Sequence, residues 1–453
     1  MKMAVRPDRG RRAWLRLPPP RVALLVVGAL AGAPVAAQVG PAPVIAVENG
    51  RWYNGRGFEA GTFYIRDGVL RRERPARVDS VLDLGGRYVI PPLGDAHTHN
   101  LDGEYGLDAV RDAYVSEGTL YVQVLTNTTT GAAKVKPRFG DVCSIDVVYA
   151  NGGLTSTLSH PFMAYEPRAM GIFSDYAAHA DRIRASRKRE NDAYWFIDSR
   201  EDLADKWPLI RATDPGIIKI FLLGAVEGPP DIGETGVPHG YGLRPSLVPE
   251  IVRRAGEAGL RVAAHVETAA DFAVAVRGGV RILAHMPGYL YGMAPDGSID
   301  PSAPMEPFEI SDEVAREAGE RGVLVTPTVS RTYVASGPDS AAVVARRQEL
   351  MRRNVATLRG NGVRFIVGSD AYGRTGWHEM DAMRALGVWA DEELLRTWVE
   401  ETPRSIFPGR RLGRLEAGYE ASFLALEEDP TRSVDALRHI ALRVKQGCVL
   451  EAP

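Results

Sequence analysis

Cysteine is scarce in this chain: 453 residues carry two, Cys143 and Cys448. No CxxC pair exists, which excludes a zinc ribbon or a thioredoxin-like redox site. With a separation of 305 residues (448 − 143), a disulfide between them after export stays open and cannot be read from the sequence, and two unpaired buried thiols are the simpler reading. An excess of charge of one sign is also missing. The 55 Lys and Arg residues face 57 Asp and Glu, for a formal net charge of −2. A nucleic-acid or membrane-surface partner would call for a basic face, so the composition speaks against both. There is no low-complexity tract and no short repeat. Beyond the first 40 residues no apolar run is long enough to cross a bilayer. Turn formers are plentiful, with 47 Gly and 31 Pro, and imply many short connections. With 45% hydrophobic and 25% charged residues, the chain has the composition of a globular protein, and its length allows one large domain plus a smaller one, or two or three ordinary domains.

The first segment stands apart. Arg6, Arg9, Arg11, Arg12 and Arg16 precede an apolar run from Val22 to Ala33, which ends in Pro34-Val35-Ala36-Ala37-Gln38. A positive start, a short apolar stretch and small residues at a cleavage point make residues 1–37 a secretory signal peptide. The expectation is an exported, periplasmic or secreted protein beginning near Gln38, with no stable membrane insertion once the signal is removed. The Arg11-Arg12 pair also suits a twin-arginine export signal, and the choice of pathway stays open.

Residues 44–90 read as short strands broken by turns. Thr62–Ile65 meets the Asp67-Gly68 turn, Val81–Leu84 meets Gly85-Gly86, and Tyr88–Ile90 follows. Residues 412–453 look similar, with strand candidates Ser422–Leu426 and Leu442–Val444. Neither piece can bury a core alone, so the two ends are expected to form one β-sandwich domain. Residues 91–404 alternate strands with helices, including strand candidates Gly216–Leu222, Leu260–His265, Val280–His285, Val323–Pro327 and Val363–Val367. Such alternation predicts an α/β fold with a parallel sheet, and its length suits a (β/α)8 TIM-like barrel.

The chemistry starts at His97-Thr98-His99. The strand Tyr88–Ile90 reads as running through Pro91 into this motif. Residues i and i+2 of a strand face one side, so both imidazoles can grip one ion. HxH alone is weak, but Lys219, His265, His285 and Asp370 each stand at or near the end of a separate apolar strand. Barrel active sites form from such strand ends. A lysine between Ile218 and Ile220 is costly to bury without a partner.

These positions, in this order, resemble the amidohydrolase superfamily. So do Asp83–Pro91 before the histidines and Gly413–Gly418 near the end. Pro92 and Gly94, and Glu420-Ala421-Ser422, depart from the usual flanking pattern. The contexts of Lys219 and His265 are similar to the branch that holds imidazolonepropionase and Xaa-Pro dipeptidases. The resemblance implies a binuclear centre of two divalent ions, zinc first among them, held by His97, His99, Lys219, His265, His285 and Asp370. It implies a Lys219 carboxylated by CO2 so that it offers oxygen to both ions. It implies Asp370 as proton shuttle for metal-activated water. His160, in the Leu154–Pro161 motif, would contact the substrate carbonyl, and Tyr241 would assist.

The function expected is hydrolysis of an amide or other C–N bond in a small substrate: a dipeptide, an acyl-amino acid or a cyclic amide. Deamination or lactone or ester hydrolysis on the same centre is the alternative. An inactive binding protein would lack at least one ligand, and none is missing. Substrate choice falls to loops: Gly224–Pro245, with Glu227, Glu234, His239 and Tyr241, and the segment holding Arg331, Tyr333, Tyr372, Trp377 and His378. An arginine there could pair with a substrate carboxylate. A homo-oligomer is left open.

Overall fold

The computed structural model describes residues 43–224, 241–293, 299–335 and 339–451. The export segment 1–37 lies outside the described residues, as do Glu227, Glu234 and His239. No helix among the described residues is long and apolar enough to cross a membrane.

Five strands open the fold: β1 (Ile45–Tyr53), β2 (Phe58–Arg66), β3 (Val69–Arg71), β4 (Ser80–Asp83) and β5 (Tyr88–Ile90). Ten more follow: β6 (Leu93–Thr98), β7 (Thr119–Val124), β8 (Asp146–Tyr149), β9 (Gly153–Thr155), β10 (Tyr194–Phe196), β11 (Ile218–Phe221), β12 (Val262–His265), β13 (Ile282–Leu283), β14 (Leu324–Val325) and β15 (Arg364–Phe365). Three close the chain: β16 (Phe423–Leu426), β17 (Ile440–Lys445) and β18 (Cys448–Leu450).

Strands from both ends share one eight-stranded sheet, in the order β18-β17-β16-β5-β1-β2-β3, with β4 also on β1. The join is antiparallel pairing of Leu424, Ala425 and Leu426 with Ile90, Val89 and Tyr88. Trp52 packs edge-on against Phe63 and Phe423 at 4.5 and 5.5 Å, so one aromatic cluster draws on both chain ends. The expected run of strand Tyr88–Ile90 into the histidine motif is corrected here. Pro91-Pro92 removes two ladder N–H groups in succession, and a strand cannot continue through them. β5 stays in the terminal sheet and β6 begins a second one.

The middle of the chain is a TIM-barrel-type α/β fold. β10-β9-β11-β12-β13-β14-β15 form a parallel sheet, and β6-β7-β8 form another. Backbone hydrogen bonds join their margins: Gly216 N–H donates to Tyr149 O at 2.9 Å, and Ala96 N–H donates to Val367 O at 2.8 Å. Most strand residues are buried on both faces, which is why they read as near-continuous apolar runs. Helices cover the outside. Thr268 and Asp271 form a capping box on the helix Ala269–Arg277, and this fixes the chain just after His265.

The two cysteines are bonded, which overturns the reading as separate thiols: Cys143 and Cys448 have Cα atoms 5.6 Å apart. The sequence hides the cause, which is tertiary. Lys445 on β17 crosses to the segment before β8, donating to Asp141 O at 2.8 Å and pairing with Asp146 at 2.7 Å. That contact carries the neighbouring β18 against Cys143.

Candidate metal centre

The strand ends converge on one cavity of about 700 Å³, lined by His97, His99, His160, Lys219, His265, His285 and Asp370 among others. Two elements place the first histidines. β6 is completely buried through Thr98, and the backbone just after β15 lies directly against it. A Cβ on Gly368 would sit 2.6 Å from His97 Cβ and 2.7 Å from His97 N, so only glycine allows this approach. Asp370 N–H then donates to His97 O at 2.7 Å, and Asp370 takes a left-handed φ of 44°. Backbone strain of this kind concentrates at functional sites. Asp95 locks the arrangement from below. Its buried carboxylate accepts from Ser369 N at 3.0 Å, Ser369 Oγ at 2.8 Å and Tyr114 Oη at 3.0 Å.

Each of the four ligand-type histidines has one ring nitrogen occupied by the protein. His97 Nδ1 faces Ala284 O at 2.9 Å, and His99 Nδ1 faces Thr126 O at 3.4 Å. A carbonyl can only accept, so these nitrogens carry the protons. Thr328 Oγ1 gives its proton to Pro327 O at 2.8 Å and accepts from His285 Nδ1 at 3.1 Å. His265 is turned round: Nε2 faces the Glu267 carboxylate at 3.3 Å and Tyr289 Oη at 3.2 Å. The remaining nitrogens are therefore free lone pairs: Nε2 of His97, His99 and His285, and Nδ1 of His265. Metal-binding histidines are oriented this way, with the second nitrogen fixed by a protein acceptor. Burial holds the rings of His97, His265 and His285 well below the usual imidazole range, so they stay neutral donors.

Those lone pairs meet a carboxylate. Asp370 Oδ1 is 3.3 Å from His97 Nε2 and 3.1 Å from His99 Nε2. Lone pairs pointing at lone pairs in a buried site repel unless a cation lies between them. Ligand atoms of His97, His285 and Asp370 come within 4.8 Å of one another, which suits such an ion. Lys219 supplies the second indication. It is 1% exposed, and its Nζ has no hydrogen-bond partner. Burial pulls its amine down to about 7, so much of it is neutral and nucleophilic at ordinary pH. The donor set thus fits divalent ions, with an amine at hand for CO2.

The other expected residues divide. His160 lines the cavity, its ring 4.9 Å from that of His265 and 5.0 Å from Phe221, and burial holds it well below the usual range. Tyr241 is not among the lining residues; its backbone carbonyl accepts a hydrogen bond from Ser156 Oγ. Arg331, Tyr333, Tyr372 and His378 line the cavity, and Tyr372 stacks on His99 at 5.4 Å. Trp377 instead packs against Trp398 and under Arg438. Sequence reasoning missed Tyr289, which stacks on His285 at 4.7 Å, and also Tyr165, Arg168, Glu267 and Arg374. Tyr289 follows His285 by four residues, so its place just past a strand end was the available signal. Tyr165 and Arg168 sit on the helix Phe162–Ala169, which starts directly after the Leu154–Pro161 motif, so their place just past His160 was the available signal.

Residues 230–450 match the model of the amidohydrolase family. That span holds His265, His285 and Asp370, while His97, His99 and Lys219 precede it. No curated protein matches the sequence. Solved structures of similar fold include an amidohydrolase at 22% identity and TM-score 0.64, covering 90% of this chain and 99% of that one. A Xaa-Pro dipeptidase with methionine bound in its active site is 16% identical at TM-score 0.65, covering 90% and 100%. Ochratoxinase from A. niger is 18% identical at TM-score 0.66, covering 90% and 96%. By sequence over residues 230–450 and by fold over nine-tenths of its length, this chain resembles the amidohydrolase superfamily.

Proposed function

We propose that this chain is an exported, metal-dependent hydrolase that cleaves an amide or related C–N bond in a small substrate bearing a carboxylate. One observation carries the metal-dependent part: His97 Nε2 and His99 Nε2 both face Asp370 Oδ1 while their Nδ1 atoms are committed to carbonyls. Six groups on strand ends would hold two divalent ions: His97, His99, Lys219, His265, His285 and Asp370, on a closed (β/α)8 barrel. Such ions, when bound, lower the pKa of water and act as Lewis acids on a carbonyl. The neutral amine of Lys219 would add to CO2 and lose one proton, which turns it into a carbamate, an anionic oxygen donor. Asp370 accepts the attacking water's proton and returns it to the leaving nitrogen. His160, kept neutral by burial, donates a hydrogen bond to the scissile carbonyl oxygen.

Arg331 supports the carboxylate. Its Nε lies 3.5 Å from Asp370 Oδ2 and makes no hydrogen bond, and the side chain is 38% exposed at the cavity. Arg168 and Arg374 line the same opening. A guanidinium fork is suited to a carboxylate held bidentately. The dipeptidase and ochratoxinase of similar fold agree with a C–N hydrolase but do not choose the substrate.

The test is a screen of the metal-loaded protein against dipeptides, acyl-amino acids and their carboxamide-capped forms, with lactones and aminated bases alongside. Hydrolysis of amides with a free carboxylate is expected, with kcat/KM at least about 10-fold lower for Arg331→Met, the usual size of a lost charged hydrogen bond. Turnover confined to lactones or aminated bases contradicts the reading. Export is supported by the N-terminal segment and by a disulfide, a bond that oxidising compartments preserve. N-terminal sequencing of protein recovered from outside the cytoplasm should start near Gln38; retention inside with an intact start contradicts it.

A further inference from the structure

Glu379 is a buried carboxylate outside every ligand position. It lies on the helix Gly376–Leu386, which follows β15, and is 0% exposed. Its two oxygens accept from successive backbone N–H groups of another loop: Val329 N at 2.7 Å and Ser330 N at 2.9 Å. These are the first residues of the short helical turn Val329–Tyr333, whose leading N–H groups have no partner within the turn. The residue just before the turn, Thr328, holds a φ of 50°, an outlying conformation for a β-branched side chain. That residue is the acceptor for His285 Nδ1 at 3.1 Å. Three residues on, Arg331 reaches Asp370 at 3.5 Å. One carboxylate thus pins the segment from which two cavity groups are steered.

We infer that Glu379 is a positioning residue of the metal centre, acting through the Thr328 hydroxyl to fix the tautomer and orientation of His285. The inference rests on the metal-centre reading proposed above. An ordinary buried carboxylate would need only charge neutralisation or any nearby donors. Glu379 instead bridges the helix after β15 to the turn after β14, at the backbone groups adjoining Thr328. Loss of an outer partner of this type commonly weakens metal binding by about 10- to 100-fold.

The experiment measures affinity for Zn2+, by competition with a chromogenic chelator, in the full mature chain. The variants are Glu379→Gln, Thr328→Val, the double variant, Thr328→Ser and Glu420→Gln. Glu420 is a half-buried acid outside the cavity lining, bonded to Tyr121, Arg410 and Ser422, and reports the general effect of losing such a group. Circular dichroism checks that each variant is folded. The expected result is about 10- to 100-fold weaker binding for Glu379→Gln and for Thr328→Val. The double variant should be no weaker than the worse single one, because both act along one path. Thr328→Ser, which keeps the hydroxyl, and Glu420→Gln should bind like the parent. Parent-like affinity in Glu379→Gln, additive losses in the double variant, or equal loss in Glu420→Gln each overturn the inference. If Glu379→Gln does not fold, Thr328→Val alone decides, and parent-like affinity there overturns it. A parent chain that binds no Zn2+ at all is a different failure, that of the metal-centre reading itself.

Discussion

At the scale of single residues, the centre is built by denying polar groups any ordinary partner. Lys219 Nζ has none, and Asp370 shares its space with histidine lone pairs. Glu379 illustrates the cost of such burial. Desolvation pushes its carboxyl up to about 8, against the pull of the donors at Ser330 and Val329. A carboxyl raised in the folded state binds its proton more tightly there than in the unfolded chain, where its value is near the ordinary 4.5. Its contribution is therefore complete below about pH 4.5 and is lost as pH rises through about 8. The metal-free protein should lose stability across that window, by on the order of a few kcal/mol from this group. Glu379→Gln should flatten the slope of Tm against pH; a variant with the parent's slope would show that another group is responsible. The six positions that the cavity brings together could be read from sequence because each is a polar residue at or near the end of an apolar run. Glu379 could not, since His378-Glu379-Met380 on a helix looks like any amphipathic turn.

At the scale of elements, the site depends on strands held in register by buried polar ties. The clearest is Asp95, which joins β6 to the segment carrying Asp370 through Ser369 and to the helix Leu107–Ser116 through Tyr114. Asp95→Ala would leave Ser369 N buried without an acceptor, and would leave Ser369 Oγ and Tyr114 Oη only their longer bonds, to His97 O at 3.4 Å and Thr98 Oγ1 at 3.1 Å. At about 1–3 kcal/mol for one unsatisfied group, urea unfolding of the metal-free variant should show a loss of at least about 1 kcal/mol. A loss under about 1 kcal/mol would mean that water replaces the carboxylate. The strands from β11 onward were readable as apolar runs, though the regular strand covers only their centres: within Val363–Val367 it spans Arg364–Phe365, with Ile366 N and Val367 O bonded beyond it. β7 to β10 were not read as strands in the sequence-based account of the alternation. The strand Tyr88–Ile90 was extended too far, because the pattern of apolar residues outlasts the hydrogen bonding that Pro91-Pro92 ends.

At the scale of the whole chain, the two termini complete one sheet and the disulfide ties its last strand to the segment before β8. Closing so long a loop restricts the unfolded chain, and removal of such a bond typically costs about 2–5 kcal/mol. Cys143→Ser should lower the urea midpoint accordingly while leaving zinc affinity unchanged, because the bond lies away from the cavity; a coupled loss of zinc would contradict this separation. Pairing between the ends was legible because neither could bury a core alone, whereas the disulfide depends on Lys445 reaching Asp146, a contact with no local signature. The claim on which the rest depends is that six strand-end residues hold a binuclear centre. Elemental analysis of the mature protein, purified without chelators and then saturated and desalted, tests it most directly. Two divalent ions per chain, within roughly 20% as is needed to separate two from one, is the result expected of a site with both halves present. A stoichiometry of one or fewer, with Lys219 unmodified in a high-resolution density map, would contradict it.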